Sequence, residues 1–190
     1  MLRSNRGFTV WLTGLPCSGK TTIAAKLQDF LRECGDRVEV LDGDVIRTQL
    51  SRGLGFSRED RIINLSRIGF VAQLLSRNGV VVVVAAVSPY AEARLQARQQ
   101  IGEYVEVYVQ CSLRECERRD VKGMYARARA GVIPTFTGVD DPYEEPVDPE
   151  ITVDTLVEGP DKSAEKILRA LNRLGYLEDS TTARLARVSH

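Results

Sequence analysis

The feature that most constrains this chain is a transition near its start. The β-rich run "FTVWLT" at 8–13 passes into "GLPCSGKT" at 14–21, and residues 19–34 then show helical spacing through Ile23, Leu27, Phe30 and Leu31. A strand that ends in G-x-x-x-x-G-K-[ST] and continues as a helix is a phosphate cradle. Gly14, Leu15, Pro16, Cys17, Ser18 and Gly19 form a loop whose backbone N–H groups turn inward around an anion. The helix opened by Lys20, Thr21 and Thr22 aims its N-terminal dipole at the same charge. Lys20 is placed to reach β- and γ-phosphates, and the Thr21 hydroxyl to bind Mg²⁺. Cys17 has two readings here, a redox-active thiol or a small residue tolerated in the loop.

The rest of the chain repeats the strand-then-helix alternation. "RVEVLD" (37–42) reads as a strand and "VIRTQLSRGLGF" as a short helix with a glycine loop. Ser57 with Asp60 resembles a capping box opening a helix to about residue 77. "VVVVVAAV" (80–87) is apolar on both faces, as a central parallel strand is, and is too short to cross a bilayer as a helix. Residues 90–101 read as a helix, 104–111 as a strand, 112–119 as a helix start, 150–155 as the last strand and 161–175 as the last helix. The expected fold is α/β, a parallel sheet sandwiched between two helical layers, with ligands at the carboxyl ends of the strands. Residues 1–177 form one domain in this reading, and 178–190 a frayed polar tail.

Charge and composition narrow the function. The 26 Lys and Arg balance 26 Asp and Glu, which argues against a phosphate-driven nucleic-acid binder. The single histidine is the last residue, so a histidine base in the folded body is excluded and any general base is a carboxylate or a less common group. The four cysteines lack C-x-x-C spacing, and no secretory signal is evident; a reduced, cytoplasmic setting fits, with no membrane partner.

The strand "VVVVVAAV" ends without the Asp that motor ATPases and GTPases use. The acids lie instead in "LDGD", where Asp42 and Asp44 tip the second strand. They read as a base and an indirect Mg²⁺ ligand, or as an ordinary turn. Arg47, Arg52, Arg58, Arg61 and Asn64 follow, with Phe56 in the loop. Arginines there suit a sulfate- or phosphate-bearing acceptor, and Phe56 suits base stacking; solvated helix arginines and a core aromatic are the plainer account. The basic stretch 113–138 reads as a closing lid or as a solvated surface helix. "DDPYEEP" (140–146) reads as an exposed turn.

"GLPCSGKTT", "LDGDVIR", "LGFSREDRIINLSRI", "VSPY", "DVKGMYARAR" and "FTGVDDPYEEP" occur in the order found in adenylylsulfate kinases, and over residues 7–177 the chain resembles that P-loop kinase family. The resemblance implies phosphoryl transfer from MgATP to the 3′-hydroxyl of adenosine 5′-phosphosulfate (APS). It implies Asp44 as the base near that hydroxyl, with Asp42 its partner acid. Arg47, Arg61 and Asn64 match acceptor-binding positions, and Lys122 matches the lysine reaching the transferred phosphate. Phe56 and Phe136 match the aromatic pair around the acceptor adenine, and Arg119 a residue packing on the ATP adenine. Ser88 matches a serine proposed in some members to carry a phosphoenzyme. A direct transfer is expected instead, because Ser88 has no histidine base. The resemblance further implies a homodimer and a functional link to an ATP sulfurylase, with no sulfurylase half in this chain. Val45 and Ala91 stand where the family often has Asn and Arg. Two alternatives stay open: a relative using another hydroxyl acceptor, and a non-catalytic ATP-binding module.

Overall fold

The computed structural model describes residues 7–177; the tail at 178–190, with His190, lies outside the described residues. Five parallel strands form one sheet: β1 (Thr9–Thr13), β2 (Val38–Asp42), β3 (Val81–Ala85), β4 (Tyr104–Gln110) and β5 (Ile151–Asp154), in the order β2-β3-β1-β4-β5. The connection from β1 runs toward one edge of the sheet and that from β3 toward the other. Their carboxyl ends therefore flank the switch point at which α/β sheets bind ligands.

The pleat explains the two-sided core. Val81 and Val83 face one layer while Val82 and Val84 face the other. On the first face α1 (Lys20–Glu33) packs beside α7 (Pro160–Arg173), burying Ile23, Leu27, Leu31, Ile167 and Leu171 against Val10 and Leu12. On the second, α3 (Arg58–Ser76) packs beside α4 (Ala91–Ile101) over Trp11. Gly69 lies at this contact, where a Cβ would meet Ala97 at an ordinary 3.7 Å and displace only the flexible end of Gln100. Three short helices complete the carboxyl edge: α2 (Gly43–Gln49), α5 (Leu113–Arg119) and α6 (Met124–Arg129). Below them Cys111, Cys116, Tyr125, Ala128 and Phe136 form a third, smaller cluster.

Local details refine the expectations. The helix expected from residue 45 begins at Gly43, because Asp42 caps it: its carboxylate accepts from Asp44 N at 2.9 Å. The capping box at α3 is half formed. Ser57 Oγ accepts from Asp60 N at 3.1 Å, but the Asp60 carboxylate turns back to Gly55 N at 2.8 Å, tying down the glycine loop instead.

The largest correction concerns "DDPYEEP". It is a strap across the carboxyl end of the sheet, not an exposed turn. Tyr90 Oη donates to the Asp141 carboxylate at 3.0 Å, and Glu144 caps α4 by accepting from Ala91 N at 2.7 Å. Glu144 N donates to Pro89 O at 2.7 Å, and the Tyr143 hydroxyl meets Thr13 Oγ1 at 2.9 Å. Buried Arg94 clamps the crossing, donating to Ser88 O and Glu144 O at 2.7 Å each, with Nε 3.0 Å from Glu106 Oε1. The acidic run is exposed in composition but bonded in place.

Candidate active site

The loop after β1 is built by close backbone approach. A Cβ on Gly14 would sit 2.5 Å from Val109 O, and Gly19 holds φ 103, so only glycine fits either position without strain. Cys17 adopts φ 62 in the same loop, a left-handed conformation that is uncommon for a residue with a side chain. Lys20 lies nearly buried at the start of α1, and its ammonium donates to Gly14 O at 2.9 Å and Leu15 O at 2.7 Å. Burial pulls its pKa down to about 8, against the upward pull of nearby acidic groups.

Beside the loop, Thr21 Oγ1 donates to Asp42 Oδ2 at 2.9 Å. These hard oxygen donors suit Mg²⁺, which takes few protein ligands when phosphates supply the rest. Among the described residues there is no group of three or more His, Cys, Asp or Glu that could cage a metal by itself. Asp44, in the first turn of α2, accepts from Lys122 Nζ at 2.5 Å. That pair spans the mouth between α2 and the loop joining α5 to α6, and the Asp44 carboxylate raises the Lys122 pKa.

The cradle opens into a cavity of about 870 Å³. Its walls bring together Cys17, Lys20, Thr21, Thr22, Asp42, Asp44, Arg47, Phe56, Arg61, Asn64, Ser88, Arg119, Lys122 and Phe136, from segments far apart in sequence. Gly14, Leu15 and Ser18 lie behind this wall, in contact with Lys20.

The candidate acceptor residues are held mostly by one another. Arg47 donates to Gly55 O at 2.7 Å and its guanidinium lies 4.6 Å from the Phe56 ring centroid. Burial, then the neighbouring Arg61, lowers the Arg47 pKa. Arg61, only 9% exposed, donates from Nε to Phe56 O at 3.0 Å and from Nη2 to Thr135 O at 2.6 Å. Buried Asn64 leaves Oδ1 without a partner at the cavity wall. Phe56 is 44% exposed, whereas Phe136 is buried with its ring edge-on to Tyr125 at 4.9 Å. The two phenylalanines thus share a cavity without being equivalent platforms.

Three of the singled-out features are engaged with protein in this geometry. Ser88 is 1% exposed and its Oγ accepts from Trp11 Nε1 at 2.9 Å, so it holds the turn after β3 (φ 47) rather than presenting a nucleophile. Arg119 is turned onto protein: it donates to Glu115 Oε1 at 2.9 Å, Thr155 O at 2.8 Å and Thr155 Oγ1 at 3.2 Å, while still edging the cavity. The basic stretch is also largely paired, Arg118 with Glu115 and Arg129 with Glu117. Sequence reasoning missed Thr155, which donates to Ser18 O at 3.0 Å, and Glu158, both on the cavity wall. The signal was the carboxyl end of the last strand, "ITVDT".

Known proteins agree with this geometry. The family model described as adenylylsulphate kinase matches residues 6–154. The adenylyl-sulfate kinase of Picosynechococcus sp. is 56% identical over 173 residues, covering 91% of this chain and 98% of the relative. That of Halothermothrix orenii is 48% identical, covering 93% and 95%. Among solved structures, the Mycobacterium tuberculosis APS kinase CysC in complex with AMPPNP and APS superposes with a TM-score of 0.86 at 43% identity, covering 88% of this chain and 98% of that one. A Sinorhizobium meliloti gluconokinase, TM-score 0.60 at 21% identity, shares the fold alone. With a family match over most of its length and relatives above half identity, the chain belongs to the adenylylsulphate kinase family.

Proposed function

We propose that this chain transfers the γ-phosphoryl group of MgATP to the 3′-hydroxyl of APS, giving 3′-phosphoadenosine 5′-phosphosulfate and ADP. The observation that carries this reading is one cavity in which the phosphate cradle faces Asp44, Lys122, the arginines and the two phenylalanines. The bound AMPPNP and APS of the M. tuberculosis relative support the same pair of nucleotides here.

In this reading the Lys20 ammonium leaves the Gly14 and Leu15 carbonyls and bonds the β- and γ-phosphates. Thr21 and Asp42 would hold Mg²⁺, which would supply neutralisation of phosphate charge. Asp44 accepts the proton of the acceptor hydroxyl, and Lys122 is released from Asp44 toward the transferred phosphoryl group. Asn64 Oδ1, buried and unpartnered, takes a donor from the acceptor. Phosphoryl transfer needs positioning and charge neutralisation rather than a protein nucleophile, and the buried Ser88 hydroxyl supports a direct in-line path.

A steady-state assay of ADP release with ATP and APS tests the proposal. APS-dependent turnover is expected; turnover with another hydroxyl acceptor and none with APS would overturn the acceptor assignment. ATP binding with no acceptor turned over would indicate a non-catalytic module.

A further inference from the structure

We infer that Asp140 is a positioning residue for the acceptor, acting through the backbone of Thr135 and Phe136. The inference rests on the reading of the cavity as an APS site and deepens it.

Thr135 has φ 54, left-handed backbone that a β-branched residue rarely adopts. Something must hold it there, and the Asp140 carboxylate does. Its Oδ2 accepts from Thr135 N at 2.8 Å and its Oδ1 from Phe136 N at 2.5 Å. The turn is closed from the other side, since Phe136 O accepts from Asp140 N at 3.2 Å. One carboxylate therefore takes two successive N–H groups, an arrangement stronger than neutral turn bonds because the acceptor is charged.

This turn sets two parts of the acceptor wall. It aims Thr135 O at Arg61 Nη2, 2.6 Å away, and it seats the Phe136 ring against Tyr125 at the cavity edge. Arg61 also holds Phe56 O, so it staples the Phe56 loop to the Phe136 turn. If Thr135 relaxed to an ordinary backbone conformation, its carbonyl would swing away and Arg61 would lose one of its two carbonyl partners. The ATP cradle shares no hydrogen bond with this turn among those described.

Steady-state kinetics and thermal melting of the full chain test the inference with Asp140→Ala, Asp140→Asn and Asp140→Ala combined with Thr135→Gly. Asp140→Ala should raise KM for APS about tenfold or more, the loss of charge-assisted bonds, with KM for ATP within about twofold. Asp140→Asn should be intermediate, since its amide accepts one N–H and repels the other. Thr135→Gly should recover the part of the loss that comes from holding a β-branched residue at positive φ, because glycine adopts that conformation readily. An unmoved KM for APS overturns the inference. So does a parallel rise in both KM values with a falling melting temperature and no rescue by glycine, which marks a merely structural role. A wild-type protein that fails to turn over APS overturns the acceptor reading, and this inference with it, before any variant is compared.

Discussion

The two halves of the cavity are built by different means. The donor half is one continuous segment, 14–22, whose turns depend first on backbone, with glycines in close approach and a helix start, while Lys20, Tyr125 and Thr155 steady its carbonyls. The acceptor half is assembled from α2, the loop to α3, the first turns of α3, the turn after β3, the loop at 120–123, the turn at 135–136 and the strap at 140–146. It holds its shape through side chains: Arg61 between two carbonyls, Asp140 under Thr135, Glu144 capping α4 and Arg94 joining Ser88 to Glu144. A backbone device survives change in most surrounding side chains. A side-chain device fails when one of its charged groups is removed. Substitutions in the donor half should therefore cost activity, and those in the acceptor scaffold should first cost stability.

Lys20→Met is the strongest test of the first statement. Removing a preorganised charge at the transferred phosphate should lower kcat by about 10³-fold. The same variant should melt no lower than wild type, since it removes a buried charge held by two carbonyls and a hydroxyl, with no anionic partner bonded to it. A large loss of stability would break the comparison.

Arg94→Met tests the second. It leaves Glu106, whose pKa burial already raises, with Arg98 at 3.8 Å as its remaining cation, in an interior where the lost arginine is 4% exposed. Breaking a buried pair by removing one partner costs about 3–5 kcal/mol. Urea unfolding should show that loss, and Glu106→Gln added to Arg94→Met should recover part of it. A loss near zero would show that the strap is held elsewhere.

The donor half stores strain that pH can reveal. Lys20 has a pKa of about 8 in the fold against 10.5 when exposed. Below pH 8 both folded and unfolded chains carry the charge, and the fold bears the cost of burying it. Between about 8 and 10.5 the unfolded chain binds the extra proton, so this lysine makes stability rise with pH, by of order 3 kcal/mol across the window. Denaturation followed through that window should show the rise in wild type, and Lys20→Met should lack that component. ATP, whose phosphates favour the charged lysine, should bind with proton uptake above pH 8, readable by calorimetry in two buffers.

What was legible in the sequence follows the same division. The strand, loop and helix of the donor half lie within 26 residues, so local pattern sufficed. The core strands were equally plain because burial on both faces leaves continuous apolar runs such as 80–87. Asp44, Arg61 and Asn64 were singled out from the residues themselves, their particular roles and that of Lys122 came from resemblance, and the fold does bring all four to one cavity. The strap was misread, because acidic residues with prolines resemble a solvated turn and their partners Thr13, Tyr90 and Arg94 lie some 50 to 130 positions away. Thr155 was missed for the same reason: its bond to Ser18 O joins positions 137 apart.

Asp44 stands between the halves, and Asp44→Asn asks to which it belongs. As the base it should cost at least about 10²-fold in kcat, with the fold intact, because its carboxylate is exposed and paired only with Lys122 across the cleft. An unchanged rate would remove it from the chemistry and leave it a tether for Lys122.

The smallest effect is expected where the halves touch. Thr13, the last residue of β1, meets the strap at the Tyr143 hydroxyl, 2.9 Å away. Thr13 Oγ1 has one hydrogen, and Val87 O takes it at 2.8 Å, so Tyr143 is the donor of the bridge. Tyr143→Phe then removes a donor without orphaning Thr13's own proton, and the ring keeps its stacking against Tyr108 at 6.2 Å. The cost should be about 1 kcal/mol, a fall of about 2–4 °C in melting temperature for a chain of this size. If the halves are mechanically separate, KM for ATP and for APS should each stay within about twofold of wild type. A coordinated rise in both would mean that this one hydroxyl transmits position from strap to cradle, and that the backbone-built half depends on the side-chain-built half after all.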